Sequence, residues 1–215
     1  MHITPLLTAS LLRLARALPA ARPTTGTSTG FNLRVSVTDA TRDLTPSVQG
    51  LYLADERVAS GSAISVLTAT ASPTAFYLNG TAYHTTVTHD AGVYPLSVVI
   101  SGPSSYDYFY PAEHDIGAAV VGGTELFLRA GEPILFPFAG GQYAACVRDF
   151  VLGGAKPQIL TVRQVYGNET VPADCAPVEF VVECAVLPDL PAGSGWNHDF
   201  AFEVPCVPAA EEAGR

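Results

Sequence analysis

From Phe31 the sequence FNLRVSVT alternates, with Phe31, Leu33, Val35 and Val37 on one face and Asn32, Arg34, Ser36 and Thr38 on the other. That is the period of a half-buried strand. Comparable β-type runs follow at Val48 to Asp55, Ser62 to Thr70, Thr74 to Asn79, Ala82 to His89, Tyr94 to Ser101 and Thr124 to Arg129. Four more lie at Gln142 to Val151, Gln158 to Tyr166, Val178 to Val186 and Phe200 to Val204, and Gly, Pro, Asn or Asp bounds each run. Short strands separated by turn residues, without interleaved helical patterns of ten or more residues, predict a mainly β domain. The expected architecture is an antiparallel β-sandwich or its barrel-like variant, with few or no helices. Ala54 to Ser60 and the segment after Pro111 are the two places where a short helix fits. Val178 to Val186 is apolar on both faces except at Glu179 and Glu183, which predicts a central strand.

The ends of the chain read differently. The opening MHITPLLTASLLRLARALPA is apolar from Ile3 to Leu18 and closes among small residues, with Ala15-Arg16-Ala17 as an A-x-A match. It predicts a signal peptide over residues 1–20. A transit peptide is the alternative, because no Asp or Glu precedes Asp39 whereas Arg13, Arg16, Arg22 and Arg34 occur there. Residues 21–30, rich in Gly, Thr and Ser, read as a flexible lead-in, residues 31–206 as one β domain, and 207–215 as a disordered tail.

Cysteine usage decides the compartment. Cys146, Cys175, Cys184 and Cys206 are even in number and form no C-x-x-C pair of the zinc or redox kind, so they predict two disulfides. Cys175 and Cys184 are nine residues apart with a strand between them. At about 3.3 Å per residue that separates them by roughly 30 Å, far beyond the 7 Å or so that a bridge tolerates. Of the two remaining pairings the sequential one, Cys146–Cys175 with Cys184–Cys206, keeps each loop local. Sequons at Asn79-Gly80-Thr81 and Asn168-Glu169-Thr170 predict N-glycosylation of Asn79 and Asn168. Disulfides and sequons together favour secretion over organellar import. A net charge of −9 and a pI near 4.8 repel a phosphate backbone or an anionic membrane, so no nucleic-acid partner is expected. After the N-terminal stretch no run approaches the ~20 apolar residues of a membrane span.

Several of these segments carry a resemblance. FYLNGT at Phe76 to Thr81, Ala145-Cys146, PQILTV at Pro157 to Val162 and VPADCAPVEF at Val171 to Phe180 resemble a family of small secreted proteins of filamentous fungi classed as a domain of unknown function. The resemblance spans Phe31 to Val186. It implies secretion, a fungal source and a β fold, and it carries no catalytic residue across.

Candidate chemistry is sparse. His84, His89, His114 and His198 stand near Asp90, Glu113, Asp115 and Asp199, but a strand puts His84 and His89 on opposite faces and no H-x-H pair exists. No metal site and no cofactor is expected. There is no G-x-S-x-G elbow around Ser97 or Ser194. The Gly pairs 122–123, 140–141 and 153–154 lack the following Lys-Ser/Thr of a phosphate loop and read as hairpin turns. Asp107, Glu113, Asp115 and Glu125 are the acids from which a fold could assemble a glycosidase pair. The most unusual feature is Tyr106, Tyr108 and Tyr110, which on an extended chain project to one face about 6.6 Å apart. With the single tryptophan, Trp196, they are the candidate ligand-binding residues, by stacking on sugar rings or on a host protein. The sequence thus predicts a non-enzymatic extracellular binding protein. Its alternatives are a carbohydrate-binding or cell-wall module, and a carbohydrate-active enzyme whose acids only the fold brings together.

Overall fold

The computed structural model describes residues 25–81, 84–92, 94–100, 114–120, 127–128, 133–136, 140–150 and 157–209. The expected signal peptide at 1–20, the tyrosines Tyr106, Tyr108 and Tyr110, the acids Asp107, Glu113 and Glu125, and the last six residues lie outside them.

The strands are β1 (Gly26–Ser28), β2 (Gly30–Val37), β3 (Tyr52–Ala59), β4 (Ser62–Thr68), β5 (Phe76–Thr81), β6 (His84–Asp90), β7 (Pro95–Ile100) and β8 (Ile116–Ala119). After them come β9 (Phe127–Leu128), β10 (Ile134–Phe136), β11 (Gln142–Asp149), β12 (Gln158–Val165), β13 (Cys175–Ala185), β14 (Ala201–Phe202) and β15 (Val204–Cys206). A 3-10 turn at Ala40–Arg42 is the one helical element among the described residues. Antiparallel pairing runs β2-β5-β6-β7-β8-β4-β12-β11-β13 and returns from β13 to β2, closing nine strands into a ring. This is the barrel-like variant of the expected antiparallel fold, and closure removes the free edges that an open sheet exposes. The β3–β4 hairpin folds over the ring, and β3 also touches β2 where Tyr52 faces Arg34.

The alternation at Phe31 does what its period predicts. Phe31, Leu33 and Val35 are fully buried and meet Phe76, Val87, Tyr143, Val162, Phe180 and Val182 in one core. Tyr143 and Phe180 pack edge to face, with ring centroids 5.2 Å apart. Each such side chain contributes about 1.5–3 kcal/mol by leaving water.

The outer face of the closing strands is polar and buried. Glu183, facing away from Val182, is 1% exposed. It accepts hydrogen bonds from Arg34 Nε on β2 and, at 2.8 Å, from the Tyr52 hydroxyl on β3. One carboxylate thereby ties three strands together, and both of its oxygens are used.

Four local readings change in the structure. Ala54 to Ser60 is strand, not helix: β3 runs to Ala59 and pairs with β4 around Gly61, whose φ of +74° suits the turn. Hairpin pairing outweighs the modest helix preference of Ala, Glu and Arg. After Pro111 the described residues form a turn at His114 and then β8, again with no helix. Within the predicted lead-in, Gly26–Ser28 pairs with β15. At Gly30 a Cβ would lie 2.7 Å from the Leu187 amide nitrogen, so only glycine lets the chain pass there. Val207, expected in the tail, is buried and bridges Glu183.

The bridges are Cys146–Cys175 and Cys184–Cys206, the sequential pairing. Cys146 and Cys175 are register partners on β11 and β13 with Cα atoms 4.5 Å apart, the close spacing of a non-hydrogen-bonded antiparallel pair. Cys184–Cys206 ties the end of β13 to β15 and encloses the strap 186–203.

Two outcomes test this account. Arg34→Met leaves Glu183 buried with one partner, and urea unfolding is expected to show a loss of about 3 kcal/mol. Replacing Cys184 and Cys206 together by Ala is expected to cost about 3 kcal/mol, with limited proteolysis cutting the strap before the barrel.

Candidate functional site

At one end of the barrel the β3–β4 hairpin, the start of β5, the β6–β7 turn and residues Pro188 to Pro191 of the strap enclose a cavity of about 470 Å³. Barrel mouths are a common place for small-ligand sites. The walls carry Ala59, Ala63, Ala75, Leu96, Pro188, Leu190 and Pro191, and Arg57, Tyr94 and Asp189 also line the cavity.

Asp55 and His89 line it too, and both are almost wholly buried. Asp55 comes from β3, beside the ring, and His89 from the ring strand β6. Asp55 is the register partner of Ser65, whose hydroxyl donates to Asp55 Oδ1. His89 is the partner of Phe76 and packs edge-on against it at 5.5 Å. His89 Nδ1 stands 3.2 Å from Asp55 Oδ2, within ion-pair reach but off hydrogen-bond alignment, and no other group satisfies either atom. Burial pushes the Asp55 carboxyl up, while His89 and the Ser65 hydroxyl pull it down by less. The ring nitrogen Nε2 makes no hydrogen bond among the described residues. The arrangement is a buried acid beside an imidazole at the cavity wall, with polar atoms of both left unsatisfied.

At the rim, Tyr94 sits in the β6–β7 turn. Its oxygen accepts from the Gly61 amide at 2.9 Å and from Arg57 Nη2 at 3.3 Å. Hydrogen bonds from Ser60 and Gly61, with a smaller effect of Arg57, hold its phenol below the ordinary tyrosine range.

The next residue along β6, Asp90, faces the other way and holds the strap. Trp196 Nε1 donates to Oδ1 at 3.1 Å, His198 Nε2 lies 2.9 Å from Oδ2, and the Tyr77 hydroxyl reaches Oδ1 at 3.4 Å. Burial, then the Asp90 charge, raises the Tyr77 phenol. Trp196 is half-buried with its N–H engaged, so it anchors the strap that forms one cavity wall.

The structure separates the histidines named from sequence. His89 faces Asp55, His198 faces Asp90, and His114 packs edge-on against Tyr166 at 4.7 Å. No three metal-ligating side chains come together among the described residues. Asp115 is fully buried and bridges Arg163. Asn168 lies in an exposed turn, and Asn79 is half-buried in β5 opposite Ala201. Sequence reasoning passed over Asp55 and Ser65. The available signal was phase: Asp55 follows Leu51 and Leu53 on the inward face, and His89 follows Val87 in the same way.

Asp55→Asn tests the burial of this acid. A raised carboxyl favours its protonated form in the fold, so its stabilising share is complete below the unfolded pKa of about 3.9 and is lost as pH rises through the higher folded value. The variant is therefore expected to melt above the wild type at about pH 8 and to converge with it near pH 3.

Among characterised proteins, the antigenic protein SchS34 of Stachybotrys chartarum is 28% identical over 205 residues, covering 86% of this chain and 88% of that one. No solved structure matches the chain. The family described as a domain of unknown function, DUF7907, matches residues 28–184, including the ring strands β2 to β12 and all but the last residue of β13. On that match the protein belongs to the DUF7907 family.

Proposed function

We propose that this is a secreted fungal protein that binds a small molecule in the mouth of its barrel and performs no reaction on it. The observation that carries the reading is the cavity between the β3–β4 and β6–β7 hairpins, where a buried Asp55–His89 pair is left incompletely hydrogen-bonded. Natural interiors satisfy their polar groups, and an unsatisfied pair facing a cavity is a place where a ligand supplies what the protein does not. Two disulfides, two sequons and a signal-like N-terminus support an extracellular setting. The relative SchS34 is named as an antigenic protein of a fungus, in keeping with such a setting.

The single tryptophan gives a direct test, because Trp196 hangs from Asp90, which itself lines the cavity. Protein recovered from culture fluid is expected to begin between Leu18 and Ala21. Titration with a panel of phenols, sugars, polyols and carboxylates is expected to change Trp196 emission saturably for one class, and Ala59→Phe at the rim should abolish the change. A flat response to the whole panel, or one unaffected by Ala59→Phe, defeats the reading.

A further inference from the structure

The geometry points to a phenol as the ligand class: a flat apolar ring bearing a hydroxyl that donates to His89 Nε2 at the floor of the barrel mouth. This deepens the reading of the mouth as a ligand site and rests on it.

The first premise is the state of the floor. Asp55 Oδ1 is occupied by the Ser65 hydroxyl, so Oδ2 is the oxygen left to face His89 Nδ1. When Asp55 is ionised, its carboxylate 3.2 Å away favours the proton on Nδ1 and leaves Nε2 as an acceptor. An acceptor selects a donor, so a hydroxyl fits and a carboxylate or phosphate does not. Asp189, which also lines the cavity, opposes an anion further.

The second premise is the wall. Leu96, Leu190, Pro188, Pro191, Ala59 and Ala75 offer apolar surface without side-chain hydrogen-bonding groups. A sugar laid against that wall would give up hydration at the hydroxyls facing it, with no side-chain replacement from the wall itself. A phenol has one hydroxyl to satisfy, and its ring gains by burial. The third premise is the rim, where the Arg57 guanidinium, held to Tyr94 and to the Ala59 carbonyl, presents donors to an acceptor at the far end of a ring. Donor at the floor, apolar middle and acceptor at the rim describe a phenol carrying an acceptor opposite its hydroxyl.

The test compares p-nitrophenol with p-nitroanisole, which has the same ring and rim acceptor but no O–H, by calorimetry on the full secreted chain in buffer below the p-nitrophenol pKa, where the O–H is retained. The wild type is expected to prefer p-nitrophenol by about tenfold, the worth of one hydrogen bond to a buried acceptor. His89→Phe is expected to bind the two equally. Asp55→Asn, which removes the ionisable acid beside Nδ1, is expected to lose most of the preference, and its melting temperature checks that it is folded. Equal affinities in the wild type, a preference that persists in His89→Phe, or tighter binding of cyclohexanol or glucose than of p-nitrophenol would overturn the phenol assignment. In those cases saturable Trp196 responses to another class leave the mouth standing as a ligand site. If nothing in the panel moves Trp196, both readings fall together.

Discussion

Pairing of β2 with β13 over eight residues, from Val178 opposite Val37 to Ala185 opposite Gly30, is the contact on which the barrel depends. Without it β11, β12 and β13 lose their closure onto β2, and only β3, paired with both β2 and β4, returns the sheet on itself. The pairing joins segments about 150 residues apart in sequence, so chain entropy opposes it strongly. Three things offset that cost. The inner faces of both strands are aromatic and branched aliphatic, the outer faces share the Glu183–Arg34–Tyr52 cluster, and both disulfides begin on β13.

The two buried acids show how the same chemistry serves different ends. Glu183 has a guanidinium and a phenol on its two oxygens, and a carboxylate satisfied in that way holds strands in register. Asp55 has a hydroxyl on one oxygen and an imperfectly aligned imidazole on the other. The first cluster is complete and lies under β3. The second is incomplete and lies beside a cavity. Burial of polar groups costs free energy in both places, but only the second leaves polar atoms without a hydrogen-bond partner.

Much of the architecture was legible because period-2 alternation survives wherever one face of a strand packs on the core. It failed at β8, whose Ile116-Gly117-Ala118-Ala119 is buried on both faces and too small-sided to show a period. β1 and β10 are three residues long and carry no pattern. β13 begins at Cys175, before the proline at 177 that marked its boundary in sequence, because Pro177 pairs with β11 ahead of the β2 ladder that starts at Val178. The site was harder to see. Asp55, Ser65 and His89 come from three strands whose contact only the closed ring creates. A polar residue in the inward phase is a visible anomaly, but its partner is not. Trp196 was visible as the single tryptophan, yet its work is to hang the strap on Asp90, a contact spanning 106 residues.

The strap itself has a consequence for how this protein can change. Residues 186–203 leave the barrel after Cys184, rejoin it before Cys206 and are gripped midway by Asp90, so their ends stay in place whatever lies between. The DUF7907 match stops at residue 184, where this excursion begins. Pro188 to Pro191, one wall of the mouth, lie ahead of β14, the part of the strap that pairs with β5, and belong to no strand. A lineage can reshape that wall by substitution or insertion there while inheriting the barrel unchanged, which separates the history of the mouth from the history of the fold.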